Sequence, residues 1–155
     1  MYTLTIKLYY KMKITRNIKN LNFSLSNCSY SEGKEIVKKM TYVCAMGRNN
    51  NAVGLAHNQI GGKSRVYIAK INNKFRGFIN PIIIKHSKNT HTATESCMSF
   101  PNRYSKIDRY NWVIIKHQVG ENEFVEEKFN ECGQAVHQHE IDHLNGLNCH
   151  KIGEK

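Results

Sequence analysis

Residues 138–144 read Gln-His-Glu-Ile-Asp-His-Leu and contain the pattern His-Glu-x-x-His. On a helix, residues four apart lie on one face, so His139 and His143 can reach a single ion. Glu140 projects roughly 100° round the helix from His139. It stands beside the ion without binding it, where it can take a proton from water activated there. Two imidazoles leave a tetrahedral site one protein ligand short, and the third ligand decides the class of enzyme.

Three residues compete for that role. A downstream Glu on a second helix would make a gluzincin-type site, but the sole acid after His143 is Glu154, near the end of the chain. Cys149 falls where a metzincin places its third histidine, after Gly146 and just before His150. That class also needs a methionine turn after the motif, and the last methionine is Met98. Cys97 lies upstream in Glu95-Ser96-Cys97-Met98-Ser99, beside an expected strand. A thiolate with two imidazoles leaves one position open.

The elements that must carry these groups show in the residue pattern. Alternation over 2–10 suggests an opening strand. Ser29 with Glu32 reads as a capping box. Ile36, Val37, Met40, Val43, Cys44 and Gly47 then recur at helical spacing, so 31–48 is expected as an amphipathic helix, ended by Asn49-Asn50-Asn51. Arg65–Lys70, Phe75–Asn80 and Ile82–Lys85 read as strands, with a turn at Asn72-Asn73 and a break at Pro81. Residues 93–98 form a further short strand. Tyr110–Gln118 and Phe124–Phe129 read as a hairpin. Asn130 is the expected N-cap of a helix from 131 to 145, closed by Asn145-Gly146. The pattern gives an α+β fold, one domain over 1–155, with antiparallel or mixed sheets packed round a central His-Glu-x-x-His helix.

Composition bounds the rest. Hydrophobic residues make up 40% of the 155, enough for a core. No apolar run approaches the roughly 20 residues of a membrane span. Lys7, Lys11, Lys13 and Arg16 interrupt the N-terminal apolar stretches, which excludes a secretory signal. An organelle transit segment is the competing reading there, with a single Arg and few Ser against it. Five cysteines at irregular spacing, without C-x-x-C, fit reduced thiols in a cytoplasm. A net charge of +11 implies attraction to anionic partners such as nucleic acid or a ribosome surface, or else a lysine-rich solvated face.

Three segments in order resemble the peptide deformylase family. They are Ala52-Val53-Gly54-Leu55-Ala56-His57-Asn58-Gln59, Glu95-Ser96-Cys97-Met98-Ser99, and Gln138 to Leu144. The similarity covers roughly 31–150. Ala52, His57, Ser96 and Met98 depart from the family's pattern, and none of them removes a group that does chemistry. Ser96 would matter if the position required a positive φ; His57 either lines the site or packs elsewhere.

The resemblance implies removal of the formyl group from N-formyl-methionyl nascent peptides in the cytoplasm (the host's, for a phage-encoded enzyme). It implies Cys97, His139 and His143 as metal ligands, with ferrous iron as the ion and zinc, nickel or cobalt able to replace it. It implies Glu140 as the base, with Gln59 and the Met98 main-chain N–H as donors to the oxyanion. Val53, Gly54, Ser96 and Arg103 are then expected along the substrate. Cys132 and Val136, with Gly133, Ala135 and Ala93, are expected to line a roomy methionine pocket. Asp142 and Gln138 are expected to support the site, and Ile107 with Arg109 to form a structural ion-pair segment. His137 is expected on the far side of the helix as a surface or packing residue. The short C-terminus suggests a minimal, phage-like, monomeric member without a ribosome-docking helix, associating with ribosomes only through distributed charge. A metzincin-like zinc peptidase and a non-catalytic basic binding module with a structural metal are the competing readings. A retained Glu140 argues against the second.

Overall fold

A computed structural model describes residues 13–46, 51–130 and 133–153. The expected opening strand, Gly47 and Cys132 lie outside the described residues. Helix α1 (Tyr30–Met46) starts where Ser29 Oγ accepts the N–H of Glu32 at 3.2 Å. The Glu32 carboxylate turns instead to Ser64, whose Oγ donates to it at 2.8 Å. Ile36, Met40, Val43 and Cys44 form the buried stripe.

Seven strands follow: β1 (Gly54–Ala56), β2 (Val66–Ile71), β3 (Lys74–His86), β4 (Thr90–Cys97), β5 (Phe100–Tyr110), β6 (Trp112–Gly120) and β7 (Glu123–Asn130). A five-stranded antiparallel sheet runs β1-β2-β3-β6-β7, and β4 pairs with β5 separately. Helix α2 (Gln134–Leu144) carries His-Glu-x-x-His and packs on β1, β2 and β5. A short helix, α3 (Cys149–Gly153), sits on β5.

Period-two geometry explains why β2 is buried on both faces. Val66 and Ile68 meet Ile36, Met40 and Leu55 under α1, whereas Tyr67 and Ala69 meet Phe78, Ile141 and Leu144 under α2. The sheet is thus a wall between the two helices. Close approach of α1 is met by Gly77, where a Cβ would fall 2.3 Å from Val37 Cγ2.

Three expectations need correction. The stretch around Pro81 is one continuous strand, not two. Register shifts between Ile79 and Ile82 absorb the missing proline N–H as a bulge. Asn80 takes a φ of 50° there, and its side chain accepts from Cys28 N at 3.0 Å and donates to Gln118 Oε1 at 2.7 Å. The Arg65 guanidinium ties this bulge to α2, donating to Pro81 O at 3.1 and 3.2 Å and to Leu144 O at 3.2 Å.

Asn130 is not a helix cap. It pairs with Trp112 at the end of β7, and Gly133 is the N-cap of α2. Strand β5 has no counterpart in the residue pattern before Tyr110, because Pro101, Asn102 and a polar run hide its alternation. A φ of 63° at Asn102 and a register shift after Ser96 let the remainder pair residue for residue with β4. The turn at Asn72-Asn73 is as expected, with both φ values positive at 48° and 61°.

The α2 face of the sheet carries an ion-pair group beside Phe78. Arg76 on β3 donates to Glu127 on β7 (Nη1 to Oε2, 2.8 Å), and His117 Nε2 lies 2.8 Å from Oε1 of the same carboxylate. The Arg76 hydrogen bond draws Glu127 down to about 2. Its folded pKa lies below its unfolded value, so its contribution is full above about pH 4.3 and fades as pH falls toward the folded value. The pair is partly exposed, so Glu127→Gln should lower stability at neutral pH by about 0.5–1 kcal/mol. Chemical denaturation of both proteins should show the gap narrowing as pH drops from about 5 to about 3. A gap constant across that range would mean that the carboxylate's charge is not what stabilises.

Candidate active site

Helix α2 has an unusual composition for its position. Gln134, His137, Gln138, Glu140 and His143 are all buried. Buried polar groups need partners, and each neighbouring element supplies one. Gln138 forms a two-way bridge to the main chain of Tyr110: Tyr110 N donates to Oε1 at 3.0 Å and Nε2 donates to Tyr110 O at 3.1 Å. His137 lies over the far side of the helix as expected, and it is a packing residue. Its Nδ1 is 2.7 Å from the Tyr67 hydroxyl, and its ring packs edge-on against Phe78. Burial lowers His137 to about 4, so the neutral ring can accept the hydroxyl proton.

His139 and His143 project to one side, and β4 brings Cys97 to meet them. The ligating atoms of these three residues lie within 4.8 Å of one another. Cys97 Sγ is 3.3 Å from His143 Nε2. His143 is fully buried, which lowers its pKa to about 3 and keeps the ring a neutral donor. The neighbouring Cys149 thiol, then burial, raises the Cys97 thiol above its ordinary value. An ionised Cys97 therefore calls for a cation beside it. Converging thiol and imidazole donors, with the Glu140 Oε2 atom buried and lacking a hydrogen-bond partner, fit a divalent metal ion. Cys149, open as third ligand on spacing, shares a buried cluster with Cys97 and Ile107 and is outside this group.

Glu95 has a place here that the spacing of the metal motif does not reveal. Its Oε2 is 2.8 Å from His139 Nδ1, which fixes the ring and directs Nε2 inward. Arg109 holds the same carboxylate with Nε and Nη2 at 2.7 and 2.8 Å and reaches Asp142 through Nη1 at 2.5 Å. Burial acts to raise Glu95, but the hydrogen bonds from Arg109 and His139 outweigh it and hold the group at about 2. The available signal was strand alternation: Ala93, Glu95 and Cys97 share the inward face of β4. Asn58 was equally silent. Its Nδ2 donates to His143 O at 2.8 Å and steadies the last turn of α2.

A cleft of about 320 Å³ opens in front of Cys97 and His139. Val53, Gly54, Gln59, Ser96, Met98, Val136 and Glu140 all line it. Burial raises Glu140 to about 7. Gly54 is required by that side chain, since a Cβ would fall 2.4 Å from Glu140 Oε1. Gln59 Nε2 is 3.4 Å from Cys97 Sγ and 3.2 Å from Ser99 Oγ. Its Oε1 accepts the N–H of Ala56 at 2.8 Å, so the amide orientation is set.

Arg103 is exposed on β5 and does not line the cleft; it falls in the unpaired stretch 101–103 that the register shift leaves between Phe100, opposite Cys97, and Tyr104, opposite Ser96. Ala93 and Ala135 line the pocket end, while Gly133 is exposed and off the lining. Ser96 is not among the residues with positive φ, so a side chain fits where the family has Gly. His57 lies against Gly62, with Nδ1 3.2 Å from Ser64 N, away from the cleft.

Metal analysis of purified variants checks the ligand set. Cys97→Ala should lose its bound metal, and Cys149→Ala should retain it. Equal loss from both would return Cys149 to the ligand set.

Comparisons with known proteins agree with this geometry. A peptide deformylase of Thermotoga neapolitana is 39% identical over 97 residues, which is 63% of this chain and 59% of that protein. The aligned part thus spans about three fifths of the relative's length. The crystal structure of peptide deformylase from Thermotoga maritima superposes with a TM-score of 0.80 at 28% identity, covering 88% of this chain and 93% of that one. A deformylase of a Vibrio parahaemolyticus bacteriophage, solved in complex with actinonin, gives 0.78 at 27% identity over 88% and 99%. The model of the polypeptide deformylase family matches residues 10–153, and the chain belongs to that family.

Proposed function

We propose that the chain hydrolyses the formamide bond of N-formyl-methionyl peptides, releasing formate and a free N-terminus. One observation carries the reading. A buried Glu140 with an unpartnered Oε2 lines the same cleft as Cys97 and His139. A structural metal site has no use for such a carboxylate, which counts against the binding-module reading.

Cys97, His139 and His143 would hold the ion, which supplies Lewis acidity and makes water nucleophilic near neutral pH. We assign ferrous iron, with zinc, nickel and cobalt as ions that a mixed thiolate and imidazole set also accepts. Glu140 takes the proton from the attacking water and returns it to the leaving amine. Glu95 keeps the His139 ring in place through Nδ1. The Gln59 amide and the Met98 N–H are assigned to the oxygen that gains charge as the formyl carbon becomes tetrahedral. Gln59 is held for this by Ala56 N, and its donor end already points into the cleft beside Cys97. Val53, Gly54 and Ser96 border the channel along which an extended peptide would lie. A metzincin-like peptidase is disfavoured because the group of ligating atoms contains Cys97 and not Cys149.

The partners follow from charge and exposure. Nascent chains in a cytoplasm are the substrate class, the host's cytoplasm for a phage-encoded enzyme. A net charge of +11 suits weak, salt-sensitive association with ribosomes through the body of the protein. Helix α3 packs its Cys149 and Ile152 onto β5. No described helix is long and apolar enough to cross a membrane. The enzyme is assigned as a monomer.

Formate release from formyl-Met-Ala-Ser by metal-loaded protein tests the reading. Glu140→Gln should keep its metal and lose about 10²–10⁴ in kcat, because the base acts on water and is no ligand. Substantial turnover by that variant, replete with metal, would assign the base elsewhere.

The pocket end of the cleft is lined by Ala93, Ala135 and Val136, all small and apolar. Formyl-norleucine and formyl-Phe peptides should therefore react with kcat/KM within about tenfold of the methionine peptide. A steep preference for methionine over both would mean that other side chains fill the space.

A further inference from the structure

We propose that Cys149 is a resolving thiol for Cys97: a peroxide entering the cleft converts the pair to an intramolecular disulfide, which removes Cys97 from the ligand set and shields it from irreversible oxidation. The two thiols differ in access. Cys97 lines the cleft, so a small oxidant reaches its sulfur from the substrate side. Cys149 is 2% exposed, does not line the cleft, and shares a small buried cluster with Cys97 and Ile107. It opens helix α3, which Ile152 and Phe100 anchor to β5 and a 2.8 Å contact between Ser105 Oγ and His150 Nδ1 pins in place. Cys149 is therefore held against the first site of oxidation, whereas Cys44 lies in the separate cluster under α1.

The chemistry balances with hydrogen peroxide as the oxidant. Cys97 sulfur attacks one peroxide oxygen, the O–O bond breaks, and sulfenic acid and water form. Cys149 sulfur then attacks the sulfenic sulfur, the S–O bond breaks, and the departing hydroxide takes a proton to leave as a second water. Two thiols lose two electrons and two protons in all. The next step on the oxidation ladder, sulfinic acid, is pre-empted because the oxygen has already left.

The inference rests on the proposed ligand role of Cys97 only for its effect on the metal; the cross-link itself does not need it. Metal-loaded protein is treated with hydrogen peroxide, free thiols are alkylated, and an unreduced digest is mapped by mass spectrometry. The expected product joins the Cys97 and Cys149 peptides, appears as metal is released, and reverts with dithiothreitol, after which metal is taken up again. Cys149→Ser should instead accumulate Cys97 bearing two or three oxygens, which dithiothreitol does not reverse. Wild-type protein whose Cys97 gains oxygens while Cys149 remains alkylatable would overturn the proposal, as would a link from Cys97 to any other cysteine. The wild-type map decides even if the variant fails to fold. A cross-link in a protein that releases no formate would leave this inference standing and sink the function, and formate release without the cross-link would do the reverse.

Discussion

A polar helix placed in the interior is the constraint on which the structure turns. Helix α2 reads Gln-Ala-Val-His-Gln-His-Glu-Ile-Asp-His-Leu, yet most of it is buried. Leaving one buried polar group unpaired costs about 1–3 kcal/mol. The surrounding elements are accordingly arranged as partners before they are arranged as a site. Strand β5 gives Tyr110 main chain to Gln138, β2 gives Tyr67 to His137, β4 gives Glu95 to His139, and Arg109 takes Asp142. What remains unpaired after this accounting includes the Glu140 carboxylate oxygen and His143 Nδ1. The chemistry is concentrated where pairing stops.

The sheet makes that placement affordable in geometric terms. Strand β2 is apolar on both faces, so α2 can rest on one side while α1 covers the other. The C-terminal end of α2 is then clamped. Leu144 O accepts from Leu25 N at 2.8 Å and from Arg65 at 3.2 Å, and Gly146 turns the chain away with a φ of 75°. A Cβ at Gly146 would meet the Phe23 backbone at 2.7 Å, so the turn and the N-terminal segment exclude anything larger. Fixing this end of the helix sets His143 beside Cys97.

The residue pattern pointed to Cys97, His139 and His143, which the fold brings together, and to most of the cleft, because those depend on local spacing. His139 and His143 share a face by helix geometry, and the Cys97 segment could be matched as a unit. Most apolar stripes, including α1 and β2, were equally legible. The failures have a common cause, which is that partner choice decides them over long range. Asn130 has the chemistry of a cap, but pairing with Trp112 claims it for β7. Pro81 breaks a strand in isolation, yet a bulge and Arg65 carry β3 through it. β5 is a strand because β4 lies beside it, and Arg103 left the cleft with the same register shift. Glu95 and Asn58 act on histidines distant in sequence; alternation along β4 turns Glu95 inward without naming its partner, and Asn58 has no such signal.

The composition of α2 also governs how the site is lost. At 11 residues the helix is too short to persist alone in water, and its polar face offers little apolar area with which to dock loosely. Its amides are protected only when the sheet, the β4–β5 hairpin and Arg65 are all in place. Hydrogen exchange from α2 therefore requires the cooperative opening of the whole core rather than local fraying. A site built this way has no partly unfolded form that keeps Cys97, His139 and His143 aligned, so the temperature at which the core melts is also the temperature at which that geometry is lost.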